Sequence, residues 1–158
     1  MSETAWFVMT AVAAAGAAIV GGIFYGFSSF VMRALARLVP LHGAQAMQMI
    51  NVVVITPSFM TVFMGTAALS LVLVAALAFG SHANAAWVVA GSASYVLGCF
   101  GVTLAFNVPL NNRLAALEGT PAADYWPAYV APWVRWNTVR TIASLLSSGL
   151  FVAALVEG

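Results

Sequence analysis

Apolar residues run along this chain in four long blocks, and the polar positions gather between them rather than alternating with them. The blocks cover about residues 5–31, 52–79, 85–106 and 136–156. Each is long enough for a helix that crosses a hydrocarbon layer of ~30 Å, which takes about 20 residues. The pattern therefore predicts an all-α protein: an integral membrane four-helix bundle, with residues 1–158 as a single domain. Two longer connections, about 32–51 and 107–135, separate the first span from the second and the third from the fourth. The first holds Arg33, Arg37, Pro40, His42 and Gly43, and its end, Ala44–Asn51, has an amphipathic pattern that suits the membrane interface. Pro57 is expected to kink the second helix, because proline lacks the N–H that a helix interior needs. The turn Gly80–Asn84, with Ser81 and His82, joins the second and third spans. The second connection carries Pro109, Gly119, Pro121, Pro127 and Pro132 and is expected to be irregular up to about Trp133.

Composition supports the same assignment. Hydrophobic residues make up 63% of the chain and charged residues 6%, against about 25% charged in soluble domains. There are five arginines and no lysine, and from Leu38 through Asn112 no charged residue occurs. A net charge of +1 without a basic patch gives no footprint for nucleic acid. The N-terminal block follows Ser2 and Glu3 rather than a basic segment, and it is too long for a signal sequence, so it is read as a retained span. Its centre, Ala13–Ala18 with Gly21 and Gly22, is small enough for close helix packing.

The arginines set the orientation. Arg33, Arg37, Arg113, Arg135 and Arg140 all follow the odd-numbered spans, and none lies on the other side. Short loops rich in arginine stay in the cytoplasm. Both termini are then non-cytoplasmic, and the expected location is a bacterial inner membrane. Trp6 and Trp87 fall near one interface, and Trp126, Trp133 and Trp136 near the other.

Polar residues within spans are costly in lipid and mark interior faces. Asn51, Thr56 and Ser58 enter span two. Thr103, Asn107, Asn111, Asn112 and Arg113 leave span three. Trp133, Asn137, Arg140, Ser144 and Ser148 recur at three- and four-residue steps, which puts them on one helix face. That face is expected to point into the bundle toward Asn51 and Asn107, with Tyr25 and Ser28 at the same depth. Arg140 has three readings: its head snorkels to the interface, it turns inward to hold an anion, or it turns inward only to bond backbone carbonyls. The asparagines have two as well: interhelical hydrogen-bond glue, or a binding layer. His42 is the one histidine on the arginine side, of the residue type suited to proton transfer near neutral pH. No His, Cys or carboxylate cluster has metal-ligand spacing, and Cys99 lies in an apolar run as a packing residue.

Four strings add a resemblance. They are FYGFSSFVMRAL at Phe24–Leu35, AMQMINVVVITPSFM at Ala46–Met60, FNVPLNNRLA at Phe106–Ala115 and WVRWNTVRTIAS at Trp133–Ser144. In this order and spacing the chain resembles the anthrone oxygenase-like family of small four-helix membrane proteins. The resemblance implies oxidation of an anthrone to an anthraquinone without a bound metal or flavin, so no cofactor is expected. It marks Asn107, Pro109, Asn111, Trp136, Asn137 and Arg140 as site candidates. In the resulting hypothesis His42 is the base, and Arg140 with Asn137 or Asn107 stabilises an oxyanion. Asn51, Asn107, Asn111, Trp133, Trp136, Tyr25 and Phe24 then bind a flat, lipophilic phenolic substrate. The alternative is a non-catalytic membrane subunit whose small-residue first helix docks on a partner or a second copy. A solute pathway is disfavoured, since no acidic residue lies at mid-membrane.

Overall fold

The computed structural model describes residues 2–80 and 84–157, so Ser81 and His82 of the predicted turn lie outside the described residues. The described residues form five helices and no strand: α1 (Glu3–Leu35), α2 (Pro40–Val53), α3 (Pro57–Phe79), α4 (Ala85–Ala115) and α5 (Gly119–Glu157). All except α2 are long and apolar enough to cross a membrane. The polarity is inverted relative to a protein built for water. Phe7, Val12, Ile19, Leu71 and Val152 are exposed, while Asn107, Asn137, Arg140, Thr141, Ser144 and Ser147 are buried. This suits an integral membrane protein, whose exterior meets lipid and whose polar groups must find partners inside.

The sequence expectation fails in two places. Pro57 does not kink one helix but begins a new one. The chain breaks at Val54–Thr56, where the Thr56 hydroxyl accepts from the Phe59 N–H at 3.2 Å and Pro57 takes the first helical position. That position needs no N–H, so proline favours a start there. The segment before the break is a separate 14-residue helix.

The second difference is larger. Residues 119–132 are helical, and α5 runs unbroken for 39 residues through Pro127 and Pro132. An interior proline costs about 3 kcal/mol, and packing offsets it here. Buried residues recur at steps of three and four along the whole helix: Ala122, Trp126, Tyr129 and Trp133, then Asn137, Arg140, Ser144, Ser147, Phe151 and Ala154. The first of these pack with Met32, Ala44, Met47 and Leu114 to close the arginine-bearing end. Gly119, with φ of 55°, makes the reversal from α4 into α5. The Gln48 side-chain amide donates to the carbonyls of Leu114 and Leu117 at 2.8 Å each, satisfying the end of α4. At the opposite end Asn84 ties three helices. It accepts from the Trp6 indole N–H at 3.1 Å and donates to the Ala154 carbonyl at 2.8 Å.

Two helices contain wide π-type turns, Phe27–Val31 in α1 and Ser94–Gly101 with Thr103–Asn107 in α4. The last ends just before Pro109, which cannot supply an N–H to the Ala105 carbonyl. A π turn re-routes the bonding around that gap.

The small residues of α1 are used within the bundle. Ala13, Ala14, Gly16, Ala17 and Gly21 are buried, and Gly16 faces the Thr66 side chain of α3 so closely that a Cβ would strike its hydroxyl. That hydroxyl is held by a 2.7 Å bond to the Val62 carbonyl. Gly16→Ala is expected to destabilise the bundle by about 1–3 kcal/mol through overpacking. Adding Thr66→Ala should restore most of the loss. Thermal unfolding of the single and double variants in lipid nanodiscs checks this, and equal melting temperatures for all of them would refute the contact.

Candidate functional site

A cavity of about 290 Å³ is bounded by α1, α2, α3, α4 and α5. Most of its wall is apolar. Phe24 meets Phe59 and Phe63 edge-on at 6.5 and 6.3 Å, Phe59 and Phe63 stack at 5.8 Å, and Phe100 lies 5.4 Å from Phe63. Polar lining comes from Asn51, Thr103, Asn111 and Arg140.

Arg140 turns inward and is only 5% exposed, so it does not snorkel. It lies 17 residues before Glu157, about 25 Å along the axis at ~1.5 Å per residue, which puts it about one turn inside the arginine-bearing edge of a ~30 Å apolar layer. Its guanidinium lies 4.0 Å from the Phe24 ring centre and 5.5 Å from that of Trp133. One terminal nitrogen donates to Asn137 Oδ1 at 2.7 Å, the other to Thr103 Oγ1 at 3.2 Å. Its Nε–H has no hydrogen-bond partner in the protein. Every partner is therefore a neutral oxygen or a ring face, and no carboxylate lines the cavity.

Asn137 is what positions the cation. Its amide nitrogen donates to the Phe24 carbonyl and to Ser28 Oγ, both at 2.7 Å, which leaves its oxygen aimed at Arg140. Asn111 is held similarly: Oδ1 accepts from the Tyr129 hydroxyl and the Trp133 indole N–H, each at 2.8 Å. Asn51 lines the cavity with its amide nitrogen unpartnered.

Of the residues singled out from sequence, Phe24, Asn51, Asn111, Trp133 and Arg140 line this one cavity. Asn107 is buried behind it, donating to the Trp133 carbonyl at 3.3 Å, and serves as structural support. Three others are not there. His42 is exposed on α2, because that helix buries Gly43, Ala44 and Met47 and His42 falls on the opposite side. Tyr25 is exposed, one residue and hence about 100° around the helix from Phe24. Trp136 stacks on Phe106 at 3.6 Å, away from the cavity. Sequence reasoning missed Phe59, Phe63 and Phe100 as cavity walls. Phe59 and Phe63 share a helix face at the i, i+4 spacing, but phenylalanine in an apolar span carries no distinguishing signal. Cys99 is buried in the core beside Tyr95 and Phe63. Among the described residues no three His, Cys, Asp or Glu side chains gather where they could hold a metal ion.

A four-span membrane bundle enclosing an apolar pocket with one buried cation is thus defined. The family model for anthrone oxygenase matches residues 59–150, more than half of the chain, and the protein belongs to that family. Neither the curated proteins nor the solved structures contain a match to it.

Loss of the Asn137 side chain strands the guanidinium. Asn137→Ala is expected to cost about 1.5–3 kcal/mol, the usual range for a hydrogen bond to a charged group. With Arg140→Met already present the same change should cost clearly less. Additive losses in denaturant unfolding would show that the two side chains are not coupled.

Proposed function

We propose that the protein is a membrane oxygenase that oxidises a lipophilic anthrone-like or phenolic substrate in this cavity, with dioxygen as the oxidant. The observation that carries the reading is Arg140: a buried guanidinium with only neutral partners, one free N–H, and an aromatic-walled cavity beside it. A cation held without a counter-charge in a low-dielectric interior strongly favours an anion beside it. The cavity lies at the small end of the ~300–1,000 Å³ range of small-molecule pockets.

The chemistry follows from that charge. An anthrone has a CH₂ carbon flanked by two aryl rings, with a ketone across the central ring. Arg140 holds the ketone oxygen and stabilises the enolate formed when the carbon loses a proton. His42 is remote and no other histidine or carboxylate lines the wall, so the proton passes to water. The enolate gives one electron to dioxygen, and the carbon radical and superoxide join in a C–O bond. Protonation gives a hydroperoxide. Loss of the second C–H proton breaks the O–O bond, leaving a carbonyl and releasing hydroxide, which is protonated to water. Anthrone and O₂ become anthraquinone and H₂O. The carbon loses four electrons and dioxygen gains them. Asn51 and Thr103 are placed to orient the substrate's remaining oxygens, and Phe24, Trp133 and Phe59 to hold its rings.

The proposal places the arginine-bearing end in the cytoplasm and both termini outside, in a bacterial inner membrane. Arg33, Arg37 and Arg113 are exposed and lie at or near the ends of helices on that side, and Arg135 is exposed within α5 before its apolar stretch, as the positive-inside rule requires.

Dioxygen uptake by the protein in nanodiscs, with several hydroxyanthrones, tests the reading. Arg140→Met should lower the protein-dependent rate by about 100-fold or more, the usual cost of removing one oxyanion donor. His42→Ala should leave it unchanged. Uptake no faster than the spontaneous rate with every anthrone would sink the proposal.

A further inference from the structure

We infer that the ligand reaches this cavity sideways from the bilayer, and that the cavity takes only the oxygenated aromatic head of a larger amphipathic molecule whose apolar tail remains in lipid. This rests on the cavity being a ligand site, and not on the oxidation assigned to it.

The wall is polar at one side and lipid-facing at the other. The inner side carries the polar lining, Asn51, Thr103, Asn111 and Arg140; the unpartnered Arg140 Nε–H and Asn51 Nδ2–H are covered by their neighbours and reach a ligand's oxygens when those side chains shift. On the opposite side the lining residues are also surface residues: Ile55 is 68% exposed, Met64 50% and Leu104 55%. Ile55 sits in the break between α2 and α3, Met64 on α3 and Leu104 on α4. Met60 and Val108, half-buried, complete that edge. A side chain that both lines a cavity and faces lipid marks a mouth, and this mouth opens between α3 and α4.

Three features make the mouth suitable. The helix break at Val54–Thr56 leaves the start of α3 without a continuous helix beneath it. The π turn Thr103–Asn107 widens α4 at the same level. Met60 and Met64 are unbranched and repack easily around an apolar chain. At about 290 Å³ the cavity encloses a fused-ring head but no long substituent. At the arginine-bearing end Met32, Met47, Trp126, Tyr129 and Trp133 pack together as a buried cluster, so the wall there is less open than the α3–α4 side. The matching chemical class is a quinone or phenol with an aliphatic tail, its oxygens on Arg140 and Asn51 and its tail between Met64 and Leu104.

A photolabel tests this without turnover. The probe is a naphthoquinone carrying a ten-carbon chain with a diazirine midway along it, irradiated with the full-length protein in phosphatidylcholine nanodiscs. Labelled peptides are mapped by mass spectrometry. Label is expected on the segments holding Ile55, Met60–Met64 and Leu104. It should be lost with excess methylnaphthoquinone, with Arg140→Met, and with Leu104→Trp, which fills the mouth from the lipid face without touching the cation. Competed label on Phe27 or Met47 instead would overturn the lateral mouth while leaving the cavity a ligand site. Label that neither competitor nor variant removes would overturn the mouth and the ligand site together.

Discussion

The structure depends on one costly object, a guanidinium inside an apolar bundle. A charged side chain at the centre of a membrane helix costs at least ~2.5–3.5 kcal/mol, and the neighbours of Arg140 are arranged around that cost. Asn137 and Thr103 bring neutral oxygens to it, and Phe24 and Trp133 bring ring faces. Asn137 is in turn fixed by α1, through the Phe24 carbonyl and Ser28. The cation thus links α1, α4 and α5 through hydrogen bonds whose loss would leave polar atoms stranded in lipid. A soluble bundle achieves the same registration with apolar packing. Here lipid competes equally for apolar surface, so polar contacts and close-packed small residues carry the specificity.

That arrangement leaves the charge held but not neutralised. Hydrogen bonds to neutral oxygens stabilise a guanidinium without cancelling its field. Aromatic walls keep the local dielectric low, so the field remains strong across the cavity. In the proposed reaction, the same features that make the residue expensive in the resting bundle are what stabilise a developing oxyanion. Stability and reactivity here draw on one residue in opposite directions.

Much of this was legible in the chain. Four apolar blocks predict four spans, because only helices of that length satisfy their own backbone in lipid. The face through Trp133, Asn137, Arg140 and Ser144 was also readable, since a polar stripe on a membrane helix has nowhere to go but inward. What sequence could not supply was which polar residue met the cavity and which braced it. Asn51 and Asn111 line the wall, whereas Asn107 and Asn137 support from behind, and all four look alike in one dimension. The prolines misled for a physical reason. Pro127 and Pro132 remove helix hydrogen bonds locally, but the stripe from Ala122 to Trp133 continues the heptad-like spacing of the span below it, and packing along that stripe outweighs the loss. His42 was attractive as chemistry and excluded by geometry, because one turn of α2 decides which side chain faces the bundle.

The polar stripe of α5 also bears on how the chain is made. A segment enters the bilayer from the translocation channel if its residues on balance prefer lipid, and an arginine within its apolar stretch weighs against entry. The first three spans carry no charge in their cores, so each can enter on its own. The fourth becomes comfortable in lipid only when Ser28, Phe24 and Thr103 are already there to receive Asn137 and Arg140. Chain order supplies that condition, since α5 emerges after α1 and α4. Its insertion and its docking are then one event, and a defect in α1 or α4 at this level would surface during synthesis as a stalled or mis-threaded α5, before it surfaced as a loss of stability in the finished protein.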